Sequence, residues 1–125
     1  MDRPDFPPRC PDYAARVRDS FARQTIMATL GASLHRVAPG RVTLTMPFDP
    51  AFTQQHGYLH AGAVSAILDS ACGYAGYSLM EAGSAVLTAE FKLNLLAPAE
   101  GARFEATGWV IRPGQTLVRA EGQMH

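Results

Sequence analysis

The stretch from residue 61 to residue 80 reads as an apolar helix that carries one carboxylate. Between His60 and Glu81, Asp69 is the only strongly ionisable side chain, and its neighbours AVSAILDSACGYAG are otherwise small or apolar. A helix that is apolar nearly all round must be covered by other elements. Twenty helical residues could also span a bilayer, but three glycines, three serines and a central aspartate oppose insertion. The stretch therefore predicts a buried central helix.

Chain length and charge limit what surrounds this helix. A chain of 125 residues predicts one domain over 1–125, with the proline-rich residues 1–11 as a loose lead-in. The 11 basic and 11 acidic residues cancel, which argues against nucleic acid or an anionic membrane as a partner. Two cysteines are too few for a disulfide framework, so we expect a reducing, cytoplasmic compartment.

The apolar spacing changes period along the chain. Residues 12–30 repeat apolar positions at helical spacing and predict one amphipathic helix. Alternating polar and apolar residues predict five strands, two around the Pro-Gly turn at 39–40 and three more at 87–95, 102–112 and 116–124. This order predicts an α+β fold in which an antiparallel sheet curls around the central helix. A second copy of the chain would complete the cover.

The central helix has two unlike stripes at 100° per residue. The larger side chains form one stripe that should face the sheet, namely Val64, Ile67, Leu68, Ala71, Ala75 and Leu79. Small residues form the opposite stripe, Gly62, Ala66, Gly73 and Gly76, with Asp69 as its only functional group. An interior glycine costs a helix about 1 kcal/mol relative to alanine, so this stripe indicates a close neighbour or a thin ligand. Asp69 could serve there as a base, or it could bond to amides or a hydroxyl and fix packing.

The start of the helix is a second candidate site. His60 stands at this end, and the first-turn amides of Ala61, Gly62 and Ala63 have no partner inside the helix. Such amides carry partial positive charge and can stabilise an oxyanion. Alternatively, His60 is a polar residue at the start of the helix and Gly62 only eases packing.

A family resemblance rests on three segments, QQHGYLHAGAVSAILDSACGYAG, LTAEFKLNLLAPAEG and RPGQTL. Together they resemble the hotdog-fold acyl-CoA thioesterases of the phenylacetate-pathway type, whose hallmark is His-Gly-Gly at the helix start and Asp nine residues after the His. The resemblance runs from about residue 30 to the end of the chain and implies a hotdog fold that packs as a homodimer or homotetramer. Members of the family carry one more strand after the position of RAEGQMH, which this sequence does not show.

The resemblance implies roles at both ends of the motif. Asp69 would activate water or attack the thioester carbonyl directly. The amide of Ala61 would supply the oxyanion donor, with Gly62 beside it, while His60 would order the loop before the helix. The sequence departs from the family here, since HAG replaces HGG.

The resemblance also implies contacts from outside the helix. Gln54 replaces the usual Asn and would contact the carbonyl, and the hydroxyl of Thr88 would hold the water from across the dimer interface. Coenzyme A, as part of the substrate, would meet Arg112, Gly114 and Gln115 in the RPGQT turn. No separate cofactor is expected.

The sequence leaves three functions open. The first is hydrolysis of a small-to-medium or aromatic acyl-CoA with Asp69 as base or nucleophile. The second is dehydration of a hydroxyacyl thioester with His60 as base. The third is acyl-CoA binding without catalysis, in which Asp69 is structural.

Two other chemistries are disfavoured. His56 and His60 precede the helix and have no acidic third ligand nearby in the sequence, so no metal site is expected. Cys72 lies one helical turn from Asp69, whose charge should raise the pKa of the thiol and make it a poor nucleophile. The acyl group would contact an aromatic or apolar set that could equally be dimer core: Phe52, Tyr58, Tyr74, Tyr77 and Met80.

Overall fold

A four-stranded antiparallel sheet with one long helix against it is the main feature of the computed structural model, which describes residues 6–97, 99–114 and 118–125. The helices are α1 (Tyr13–Ala22), α2 (Thr25–Leu30) and α3 (Ala61–Tyr77), with a 3-10 turn at Pro50–Phe52. The strands are β1 (Ser33–Ala38), β2 (Arg41–Pro47), β3 (Arg103–Arg112) and β4 (Arg119–Met124), hydrogen-bonded in that order. The predicted α+β arrangement is confirmed.

The region before the sheet holds two helices where the sequence predicted one. The chain leaves α1 at Arg23 and adopts an extended conformation at Gln24, which begins α2. The apolar spacing hides this break because both helices bury a side chain in the same core, Val17 from α1 and Met27 from α2.

The predicted hairpin at the Pro-Gly turn is confirmed as β1 and β2. Gly40 has a φ of +76°, a backbone conformation that residues other than glycine rarely adopt. Its amide donates to Ser78 Oγ at 2.7 Å, and Ser78 is fully buried at the end of α3. The turn therefore anchors one end of the helix to the sheet.

Helix α3 lies directly on the sheet where two glycines pair. Gly108 of β3 stands opposite Gly122 of β4, and a Cβ at Gly108 would lie 2.5 Å from the backbone of Ala71. A Cβ at Gly122 would meet Leu68 at 3.3 Å. The larger stripe of α3 is buried throughout, as predicted. No helix in the described ranges is both long and apolar enough to cross a membrane.

The strand predicted at 87–95 is not part of the sheet in the described structure. Residues 85–97, here called the extended segment, form no ladder with any described strand. Three of its alternating apolar side chains are exposed, with 94% of Leu87, 42% of Phe91 and 61% of Leu95 accessible, whereas Leu93 is half-buried against the core. Alternation predicts which side chains share a face, but it does not encode which distant strand, if any, the segment pairs with.

Candidate functional site

Asp69 forms a side-chain pair with Thr88. The Thr88 hydroxyl donates to Asp69 Oδ1 at 2.7 Å, bringing the middle of α3 against the extended segment. The hydroxyl has a single proton, so it engages Oδ1 alone, and Oδ2 has no partner among the residues that the structure describes. Within the single chain Thr88 lies beside Asp69 of its own chain, and its expected role across a dimer interface stays a prediction.

The pair faces an open cleft of about 2150 Å³. Its walls are α3, the extended segment and β4, and Asp69 and Thr88 lie between them. This volume exceeds the roughly 300–1000 Å³ of a typical small-molecule pocket. Arg112 and Gly114 also line it, while the predicted Gln115 lies outside the described residues.

The start of α3 offers one free donor. His60 is the N-cap, and its Nδ1 accepts the amide proton of Gly62 at 2.7 Å. The Gly62 amide is therefore already bonded, which corrects its predicted place as a second oxyanion donor. A Cβ at Gly62 would come within 3.0 Å of the His60 ring, so the glycine makes room for this cap. The amide of Ala61 has no acceptor among the residues that the structure describes.

Gln54 shapes the loop before α3. Its Oε1 accepts the amide protons of His56 at 2.6 Å and Tyr58 at 3.3 Å. Its backbone amide also donates to the Tyr58 carbonyl at 2.9 Å. Because the side-chain oxygen is occupied by the loop, only the Nε2 end of Gln54 can donate to a ligand carbonyl. Gln54, Tyr58 and Ala61 all line the cleft.

The two ends of the predicted machinery are apart within one chain. Ala61 and Asp69 are eight residues apart on the same helix, which corresponds to about 12 Å along its axis. A carbonyl in contact with both an oxyanion donor and an attacking oxygen spans only about 6–7 Å between them. One chain therefore does not bring its own Ala61 amide and Asp69 carboxylate to the same carbonyl group.

Cys72 is a poor nucleophile in this structure, as predicted. Burial, followed by the charges of Asp69 and Glu121, raises the pKa of its thiol to about 11. No group of three or more His, Cys, Asp or Glu side chains within the described ranges could hold a metal ion.

The aromatic residues of α3 do not line the cleft. The Tyr74 ring packs near Phe21, and the guanidinium of Arg16 lies 4.9 Å from the centre of the Tyr77 ring, so both tyrosines face α1. Tyr58 and Met80 do line the cleft. Of the residues suggested to contact the acyl group, Tyr58 and Met80 are therefore the ones that line the cleft.

Sequence analysis missed a polar network on the α1 side of α3. The Ser70 hydroxyl donates to Gln24 Oε1 at 2.8 Å, and Gln24 Nε2 donates to the Tyr74 hydroxyl at 3.0 Å. The Tyr74 hydroxyl also lies 3.2 Å from Ser20 Oγ. The available signal was the spacing of Ser70 and Tyr74, two polar groups one turn apart on an apolar helix.

Comparisons with known proteins converge on one family. A profile described as the thioesterase superfamily matches residues 56–125. A predicted esterase of Saccharolobus solfataricus is 30% identical over 96 residues, which cover 77% of this chain and 68% of that protein.

Solved structures agree with the sequence matches. A thioesterase family protein from Silicibacter pomeroyi is 62% identical with a TM-score of 0.89, covering 90% of this chain and 82% of its own. The Escherichia coli PaaI protein from the phenylacetic acid degradation operon is 18% identical, covers 91% of this chain and 92% of its own, and has a TM-score of 0.77. The latter likeness concerns the fold alone. Together these matches confirm the predicted hotdog architecture.

Proposed function

Because the chain belongs to the thioesterase superfamily, we propose that it hydrolyses acyl-coenzyme A thioesters with Asp69 as the residue that delivers water or attacks the carbonyl. Thioester hydrolysis is the activity of the family, and the acyl-CoA substrate and the role of Asp69 are the proposal. The observation that carries it is the Asp69–Thr88 pair at the cleft. It presents one oriented carboxylate whose second oxygen has no partner within the described part of the chain.

The reaction needs little more than this pair and one oxyanion donor. Thr88 holds Oδ1, and Oδ2 takes a proton from water while the water oxygen bonds to the acyl carbon. The carbon–sulfur bond then breaks, and the thiol of coenzyme A leaves with a proton. In the alternative route Oδ2 itself bonds to the acyl carbon, the carbon–sulfur bond breaks and coenzyme A leaves as its thiolate, which takes a proton from water as water hydrolyses the resulting anhydride. Both routes use the same contacts.

The separation along α3 supports a site shared by two chains. The Asp69 carboxylate of one copy and the Ala61 amide of a second copy would meet at one carbonyl, which a two-fold axis between the copies permits. The exposed apolar side chains of the extended segment, Leu87, Phe91 and Leu95, support contact with a second copy. We propose a homodimer as the smallest active unit, and a homotetramer would contain two of them.

The substrate proposal follows from the lining of the cleft. Tyr58 and Met80 offer an apolar surface for a small-to-medium or aromatic acyl group. Arg112 and Gly114 lie along the same cleft and are the proposed contacts for coenzyme A.

Dehydration with His60 as base has less support. An imidazole that accepts a hydrogen bond at Nδ1 carries its proton on Nε2 when neutral, so neither nitrogen of His60 has a free lone pair. The two reactions are separated by following thiol release from saturated acyl-CoAs and hydration of enoyl-CoAs. Thiol release without hydration is expected, and hydration without thiol release would contradict the proposed hydrolysis.

The shared site predicts complementation between two inactive variants. Ala61→Pro removes the one free amide proton at the first helical position, where proline fits the helix geometry. Its kcat should fall by about 100-fold while the fold is kept. Asp69→Asn chains mixed and refolded with equal amounts of Ala61→Pro chains should recover roughly a quarter of the wild-type rate, because half of the dimers contain one intact site.

The complementation has a clear opposite outcome. If both halves of the site came from one chain, mixed dimers would stay as slow as either variant alone. Refolding Ala61→Pro chains alone, without the second variant, is the control for any activity that refolding itself restores.

A further inference from the structure

Three consecutive residues of α3 are each held by a different element. Asp69 bonds to Thr88 of the extended segment, and Ser70 bonds to Gln24 between α1 and α2. The backbone of Ala71 lies against Gly108 of β3, with no room for a Cβ between them. The turn of α3 that carries the carboxylate is therefore fixed from three directions.

Gln24 spans one full turn of the helix. Both ends of its side-chain amide are bonded, to Ser70 at 2.8 Å and to Tyr74 at 3.0 Å, and these two residues are four positions apart. Ser70 and Tyr74 are each only 7% exposed. The backbone of Gln24 is itself held, since its amide donates to Phe21 and its carbonyl accepts from Met27.

The Ser70 bond is not required to satisfy a buried hydroxyl. A helical serine can donate to the carbonyl four residues earlier, and Ser65 does so with Ala61 at 2.8 Å. Ser70 bonds across to Gln24 instead. The consequence of this choice is that the rotation of α3 about its axis is tied to the α1–α2 connection.

We propose that Gln24 is a positioning residue for Asp69 and acts through Ser70. Holding Ser70 fixes the direction in which the preceding residue projects into the cleft, because adjacent side chains on a helix differ by 100°. Small displacements of a reacting group lower the rate far more than they lower stability. This inference rests on the proposed function of Asp69.

The test compares variants that break the Ser70–Gln24 hydrogen bond with a variant at Ser20, which contacts only the Tyr74 end of the network. Ser70→Ala and Gln24→Leu both remove the Ser70–Gln24 bond, whereas Ser20→Ala removes only the contact between Ser20 and Tyr74. We expect Ser70→Ala and Gln24→Leu each to lower kcat by about tenfold, with KM within about twofold of wild type. The double variant should lose no more than the slower single variant, and Ser20→Ala should keep the wild-type kcat.

A conservative replacement gives a rescue. Gln24→Glu keeps an acceptor for Ser70, and its second oxygen can accept from the Tyr74 hydroxyl. It should recover most of the kcat that Gln24→Leu loses. Ser70→Ala decides the matter if Gln24→Leu does not fold, since alanine is the best helix former.

The opposite results are equally specific. Wild-type kcat in Ser70→Ala, or an equal loss in Ser20→Ala, would overturn the proposal, because the network would then supply stability alone. A carbon-13 signal of the Asp69 carboxyl group provides a readout without turnover. It should shift in Ser70→Ala and not in Ser20→Ala even if no acyl-CoA is hydrolysed, and an unchanged signal in Ser70→Ala would refute the positioning role.

Discussion

The two sides of α3 use their polar groups differently. On the side facing α1 and the sheet, Ser70 and Tyr74 are buried and fully engaged with Gln24. On the cleft side, Asp69 is half-buried and bonds only to Thr88 among the described residues. The packed side locates the helix, and the open side leaves one carboxylate oxygen available. The difference indicates that position and reactivity are supplied by different sides of one helix.

Adding a methyl group to each side should have opposite effects on stability. Gly108→Ala places a Cβ 2.5 Å from the backbone of α3, so we expect the free energy of unfolding to fall by about 3 kcal/mol. Gly73→Ala is the matched control, because among the described residues its Cβ would meet only Val86, at 3.9 Å. It should raise the free energy of unfolding by about 0.5–1 kcal/mol through helix propensity. Denaturant titration measures both, and equal effects would remove the contrast between the two sides.

Removing the hydrogen bond that Asp69 receives on the cleft side should lower activity and leave stability nearly unchanged. Thr88→Val keeps the shape of the side chain but not the hydroxyl, so kcat should fall by about tenfold as the carboxylate loses its orientation. Thr88→Ser keeps the hydroxyl and should stay within about threefold of wild type. Steady-state kinetics with one acyl-CoA compares them, and equal rates for the valine and serine variants would show that the bond has no role.

Replacing Cys72 should have the smallest effect on thioester hydrolysis, since its thiol lies near the boundary between the packed side and the cleft side of α3. A pKa of about 11 leaves only about a thousandth of the thiol ionised near pH 8, so iodoacetamide should modify it slowly. Cys72→Ser should hydrolyse thioesters at the wild-type rate. Rapid alkylation of Cys72 in the folded protein, located by mass spectrometry, would argue against this burial.

The packed side of the helix was largely predictable from the sequence. The spacing of apolar residues located α3, its sheet-facing stripe and the β1–β2 hairpin, because burial imposes periods of 3.6 and 2 residues on the sequence. The same spacing could not reveal the break at Gln24 or that the extended segment stays outside the described sheet. Both depend on contacts between distant parts of the chain.

The open side was predictable in its residue types but not in its contacts. Asp69 stood out as a lone carboxylate, yet its bond to Thr88 joins positions 19 residues apart and appears only in the folded chain. The occupation of the Gly62 amide by His60 was also hidden, since a glycine after histidine is compatible with either a free or a capped amide. Sequence patterns report burial well and polar pairing poorly.

The most direct test measures thioester hydrolysis by Asp69→Asn. Asparagine has nearly the shape of aspartate but cannot take a proton from water, so kcat/KM should fall by about a thousandfold or more with little change in stability. Asp19→Asn is the matched control, because Asp19 is exposed on α1 and pairs with Arg23 at 2.5 Å far from the cleft. The account predicts a wild-type rate for Asp19→Asn and almost none for Asp69→Asn. Hydrolysis by Asp69→Asn at the wild-type rate would contradict it.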